Sequence, residues 1–173
     1  MIFLTWEDQN YKEFMLAILQ NLEPRFERKG LILYNELEEI SEIFFVSKGS
    51  TDIGYQVNKK PKFVIRYTDK TMVGAYNVSF NKRSLFIYKC STDCHGYFIR
   101  KQKWVSILSQ DKDIETFINQ NVEKWYINQI KRKVLQLKEK DLMKMSIRKD
   151  FDCVYTVSNK DKNGNPYGGV NLP

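Results

Sequence analysis

Between residues 30 and 99 the chain is a succession of short apolar segments, each closed by turn formers, with no long helical stretch between any two of them. This constrains the fold more than any other feature, because strands joined without intervening helices pair antiparallel and close into a roll or jelly roll. Residues 31–34 form one strand, and 43–47 are apolar enough to be buried. Ile53, Tyr55 and Val57 alternate with Asp52, Gly54 and Gln56; after a turn at Lys59-Lys60-Pro61, Phe63, Ile65 and Tyr67 alternate again. Further strands are expected at 84–89 and, past the turn Ser91-Thr92-Asp93, at 97–99.

Helical patterns flank this β region. Tyr11, Phe14, Met15, Ile18, Leu19 and Leu22 recur at helical spacing, which predicts a helix over 8–22 with Asp8 as N-cap and Pro24 as its stop. Trp104, Val105, Ile107 and Leu108 suit a short helix. Asp111 or Asp113 caps a longer one, in which Ile114, Phe117, Ile118, Val122, Trp125, Ile130, Val134 and Leu137 make an apolar stripe. The expected architecture is α+β: an antiparallel, jelly-roll-like β-roll (30–99) with one N-terminal helix and two C-terminal helices (100–145). Residues 1–7 are an extension and 146–173 a tail, with a short strand at 151–157 and a turn-rich stretch at 163–169.

A hydrophobic content of 42% with 14% aromatics over 173 residues is enough for one real core. The apolar runs are far shorter than the roughly 20 residues that cross a bilayer, and Met1-Ile2-Phe3-Leu4 lacks the features of a signal peptide. Three cysteines point to free thiols in a reducing, cytoplasmic setting. Cys90, Cys94 and His95 do not make a zinc set, and His95 has no partner pattern for activating a nucleophile, so neither a metal nor an enzyme is expected. Charge is uneven: residues 1–58 carry 10 acids and 5 bases, whereas the remainder carries 23 bases and 11 acids. The basic residues from Lys131 to Lys149 read more readily as the solvated face of a helix than as a lipid or calmodulin-type contact, and nucleic acid is not expected as a partner.

One segment inside the roll has the composition of an anion cradle. Val73-Gly74-Ala75-Tyr76 leads into Lys82-Arg83-Ser84, where a glycine permits close backbone approach, a short helix near 77–81 offers N–H donors, and Arg83 supplies a countercharge. Arg83 has two readings of equal weight, a phosphate contact or a cation at the edge of a turn.

The order helix, β-roll, glycine turn, arginine and two helices resembles the cyclic-nucleotide-binding domain over about 11–142. The residues that carry the resemblance are Gly30, the run Ile43-Phe44-Phe45-Val46-Ser47-Lys48-Gly49 with its glycine 19 positions on, and Gly74 with Arg83. The phrases YNELEEISEIFFVSKGSTDIGYQV, GAYNVSFNKRSLFIYK and CHGYFIRK resemble the C-terminal domains of ciliate potassium and cation channels. The resemblance implies a regulatory domain taking cAMP or cGMP, with Gly74, Ala75, Tyr76, Arg83 and Ser84 around the phosphate and Trp125, Ile130 and Val134 on the helix that covers the purine. Ala75 stands where binding members of the family carry a glutamate, and the stretch up to Arg83 is about one residue short. A lost hydrogen bond to a charged group is worth about 1.5–3 kcal/mol, or about ten- to over a hundredfold in affinity. The same fold in some channels is filled by a self-ligand after the last helix, a part for which Phe151 or Tyr155 would serve. Two functions follow: a cyclic-nucleotide-responsive domain of a parent channel, or a scaffold of the same fold in a larger membrane or ciliary assembly.

Overall fold

A computed structural model describes residues 9–68 and 70–157. Helix α1 (Gln9–Gln20) is followed by β1 (Glu23–Glu27), β2 (Ile32–Tyr34), β3 (Glu42–Lys48), β4 (Ser50–Val57), β5 (Lys60–Thr68) and β6 (Thr71–Val73). A short helix α2 (Ala75–Ser79) precedes β7 (Ile87–Cys90) and β8 (Cys94–Arg100). Helices α3 (Lys101–Leu108) and α4 (Lys112–Trp125), a π-helical segment (Tyr126–Lys131) and α5 (Arg132–Val157) complete the order. The strands form two four-stranded antiparallel sheets, ordered β1-β8-β3-β6 and β2-β7-β4-β5. The expected antiparallel roll with flanking helices is therefore the fold. One compact unit ends at Val134 and a second begins at Leu135.

Local physics explains the departures from the sequence reading. The predicted N-cap Asp8 lies outside the described residues. Leu22 lies outside α1, and Pro24 sits within β1, opposite Tyr97; β1 is the edge of its sheet, where a missing N–H is tolerated. The turn expected at Lys59-Lys60-Pro61 is shifted back: Val57 pairs with Lys60, leaving Asn58 and Lys59 as a two-residue loop with φ of 51° and 62°. Two left-handed residues give the twist a tight hairpin needs. Strand β4 does not alternate buried with exposed, since every residue from Ser50 to Tyr55 is buried. Asp52 is tolerated there because Arg66 closes on it with two hydrogen bonds of 2.7 and 3.0 Å.

Two glycines hold strands together at close range. Gly49 has φ of 113°, and a Cβ on it would collide with the Asp93 carbonyl oxygen and lie 2.9 Å from Cys94 Cα. Gly96 faces Phe45 of the neighbouring strand, whose carbonyl oxygen a Cβ would strike.

Asp111 caps α4, its carboxylate accepting from the N–H groups of Asp113 and Ile114 at 2.8 and 3.0 Å. Beyond it, Ile114, Ile118, Val122, Tyr126, Ile130 and Val134 are all buried, a run spaced by four residues. In a straight α-helix each step of four turns the buried face by about 40° past a full circle, so six such residues would spiral off their partner surface. The π segment turns less per residue and brings Ile130 and Val134 back onto the same face. The strand expected at 151–157 is helix: α5 has no glycine or proline to interrupt its hydrogen-bond ladder before Val157.

Candidate functional site

The cradle is built where β6 ends. Gly74 has φ of 88° and ψ of −8° and caps α2, which begins at Ala75, two residues before the position expected. Glycine is required there twice over, by the left-handed backbone and because a Cβ would lie 2.8 Å from the Glu42 carbonyl oxygen and 3.0 Å from Ile40 Cγ2. Ala75 is buried. Asn77, also buried, donates through Nδ2 to the carbonyls of Lys82 and Arg83 at 3.1 and 3.0 Å, which fixes the turn leaving α2. The Ser84 hydroxyl donates to the Phe86 carbonyl at 2.6 Å, and its backbone pairs with Leu37 and Glu38. Ser84 is thus committed to the turn.

Arg83 is exposed and has no ion-pair partner among the described residues. It lines a cavity of about 190 Å³ together with Glu39, Ile40, Asn77, Asn81, Lys82 and Lys101. Gly74 is not among the residues that line this cavity, although it lies close to Ile40, which does.

The space between the cradle and the following helix is occupied by aromatic rings. Tyr76 on α2 and Tyr126 in the π segment stack with centroids 4.0 Å apart and planes 3° from parallel. Phe80 packs on Tyr76 at 5.0 Å, and Phe86 lies 6.4 Å from Tyr126. The Tyr126 hydroxyl is buried without a hydrogen-bond partner among the described residues. Burial raises the pKa of Tyr126 and that of Tyr88.

Of the three residues expected on the covering helix, Ile130 and Val134 are buried, and Trp125, half-buried, packs against Tyr67 at 5.8 Å. Tyr67 also donates its hydroxyl to the Gln129 carbonyl at 2.8 Å, tying the π segment to β5. Tyr126 was missed in the sequence although it falls at the four-residue spacing of its neighbours. Phe151 and Tyr155 lie in the last turns of α5, and their side chains lie outside the described part.

Cys90 and Cys94 are buried free thiols, burial pushes Cys90 up to about 12, and the described residues hold no cluster of metal-ligating side chains. His95 is exposed and packs on Phe26 at 4.7 Å. No helix among the described residues is long and apolar enough to cross a membrane.

This arrangement of two sheets, cradle and covering helix is the fold of cyclic-nucleotide-binding domains. Among solved structures, the chain is similar to the C-linker/CNBHD of zELK channels crystallised in the presence of cAMP (TM-score 0.59, 12% identity, 72% of this chain and 61% of that one). It is also similar to the catabolite activator protein of Thermus thermophilus (0.57, 10%, 75% and 59%) and to cAMP-bound PfPKA-R (0.52, 16%, 60% and 38%). The chain thus spans between about two fifths and three fifths of the length of these structures. No family model and no curated protein sequence matches it.

Proposed function

We propose that this chain is a non-enzymatic regulatory domain of the cyclic-nucleotide-binding fold whose covering helix is held shut by its own tyrosines, acting as an interaction element of a larger assembly. The observation that carries this reading is the Tyr76–Tyr126 stack, which fills the junction between cradle and lid with protein. Tyr126 takes the part that the sequence assigned to Phe151 or Tyr155. Ala75 supports the same reading, because a methyl group cannot accept a hydrogen bond from a ribose hydroxyl. The three quoted phrases, together with the likeness to the zELK channel domain, favour a cation-channel-type assembly as the parent, with the domain on its cytoplasmic side.

A second reading, a sensor of cAMP or cGMP, is favoured by the left-handed Gly74 at the start of α2 and by Arg83, which has no ion-pair partner among the described residues. Calorimetric titration with cAMP and with cGMP separates the two. The self-closed domain gives no saturation below millimolar concentration, and a micromolar response would overturn it in favour of the sensor.

A further inference from the structure

The outer face of the sheet β1-β8-β3-β6 carries an apolar row. Pro24, Tyr97, Phe45 and Met72 are register partners across its four strands, so their side chains share one face. Two residues further along the strands, Phe26 is the partner of His95, and their rings pack with centroids 4.7 Å apart. Nucleic acid is not expected from the sequence because the strand aromatics read as buried, yet Phe26 and Tyr97 are 49% and 48% exposed. In the other direction the same face is closed, since Ile43 and its partner Ile99 are fully buried. Around the exposed rings lies a cleft of about 420 Å³ whose walls include Pro24, Phe26, Ser47, His95 and Tyr97.

The cleft offers flat rings and few polar groups with capacity to spare. The Ser47 hydroxyl already donates to the His95 carbonyl at 2.9 Å, and Arg25 is paired with Glu27 and Glu42. A sugar, which is held by several directed hydrogen bonds, finds little here, whereas a flat base needs only the ring faces. Charge favours the same ligand. Lys48 is the register partner of His95, and Arg28 and Lys29 follow Glu27 at the end of β1; all three are exposed and have no ion-pair partner among the described residues. The acids at this end are Glu27, taken up by Arg25, and Asp93, which accepts from the Lys29 backbone N–H at 2.8 Å. Four cations against two acids leave it positive.

We infer that this face is a stacking platform for single-stranded nucleic acid, bound without regard to sequence. Tyr97 and His95 are two positions apart on β8, about 7 Å, so the Tyr97 ring and the Phe26–His95 pair take two successive bases. Arg28, Lys29 and Lys48 contact the phosphates. A duplex, whose bases are already stacked on each other, gains only the charge. None of these residues belongs to the cradle or to the covering helix.

Fluorescence anisotropy of labelled oligo(U) and oligo(dT), each about 12 nucleotides long, titrated with the whole chain at low salt tests this, with a duplex of the same length as comparison. Both single strands are expected to saturate, and to bind more tightly than the duplex by about tenfold. Tyr97→Ala and Phe26→Ala each weaken the single strands by about fivefold or more, Tyr97→Phe keeps the affinity, and Lys48→Gln reduces the slope of log affinity against log salt by about 0.7. Amide shifts of the unsubstituted protein on adding oligo(dT) are expected at 24–26, 45 and 95–97, which locates the site even where a substitution unfolds the chain. Failure to saturate, equal affinity for the duplex, unchanged affinity in both alanine variants, or shifts confined to 74–84 or to the basic residues 131–144 would each overturn the proposal.

Discussion

The ring of Tyr126 lies flat on the ring of Tyr76, 4.0 Å away, and this contact joins the turn that would hold a ligand to the helix that would cover it. Tyr126 opens the π segment and is buried with Val122 before it and Ile130 within it. Offset aromatic pairs contribute about 0.5–1.5 kcal/mol beyond their area.

Replacing Tyr126 with alanine removes a fully buried ring and is expected to cost about 3–5 kcal/mol in urea unfolding. Tyr126→Phe keeps the ring and removes a buried hydroxyl that has no hydrogen-bond partner among the described residues, so it should be neutral or stabilising by about 1 kcal/mol. A loss with phenylalanine comparable to that with alanine would show that the hydroxyl is held after all.

Tyr67→Phe deletes the bond to the Gln129 carbonyl while keeping the ring beside Trp125. The expected cost is about 1 kcal/mol, with faster amide hydrogen exchange centred on 126–131. Unchanged exchange in that segment would mean that helix packing alone maintains the π turn.

Stability should fall at both ends of the pH scale, for different groups. The hydrogen bond and charge of Arg66 hold Asp52 below the usual carboxylate range, so its contribution is present above the unfolded value of about 3.9 and is lost as pH falls through the lower folded value. Asp52→Asn is expected to flatten the acid limb of an unfolding profile. Burial raises Tyr88 and Tyr126 above the unfolded value of about 10, so their contribution is present below pH 10 and is lost as pH rises toward the folded values. The alkaline limb should be shallower in Tyr88→Phe.

Cys90 and Cys94 should resist a thiol reagent at neutral pH in the native protein and react on unfolding, because both are buried and the Cys90 thiol is raised to about 12. Rapid native labelling of either, located by mass spectrometry, would contradict their burial.

Gly49→Ala is expected to destabilise by more than about 2 kcal/mol, since the added methyl meets backbone on the neighbouring turn and the residue is held at φ of 113°. Gly30→Ala provides the comparison: its φ is 90°, but a Cβ there meets nothing within 4 Å, so only the conformational part, about 1 kcal/mol, remains.

The sequence by itself determined the antiparallel roll, the helices around it and the places where glycine was needed. These depend on local rules: period-two and helical spacing of apolar residues, and backbone conformations that only glycine adopts cheaply, as at Gly30, Gly49 and Gly74. It did not reveal β1 or β6, because Pro24 reads as a breaker until an edge position is known and three residues are too few to show a period. Nor did it show that Asp52 is buried, since only pairing with Arg66 across β5 makes that tolerable.

What only the tertiary structure decided is the direction each site residue serves. Arg83 lines a cavity together with Lys101 of α3, and the backbone of Gly74 lies close to Ile40 and Glu42, neighbours that are distant in the chain. Tyr126 meets Tyr76 across 50 residues, through a helix whose winding answers to the surface it packs on. Local spacing encodes which face of an element is apolar; which partner fills that face depends on packing between elements distant in the chain, a non-local property.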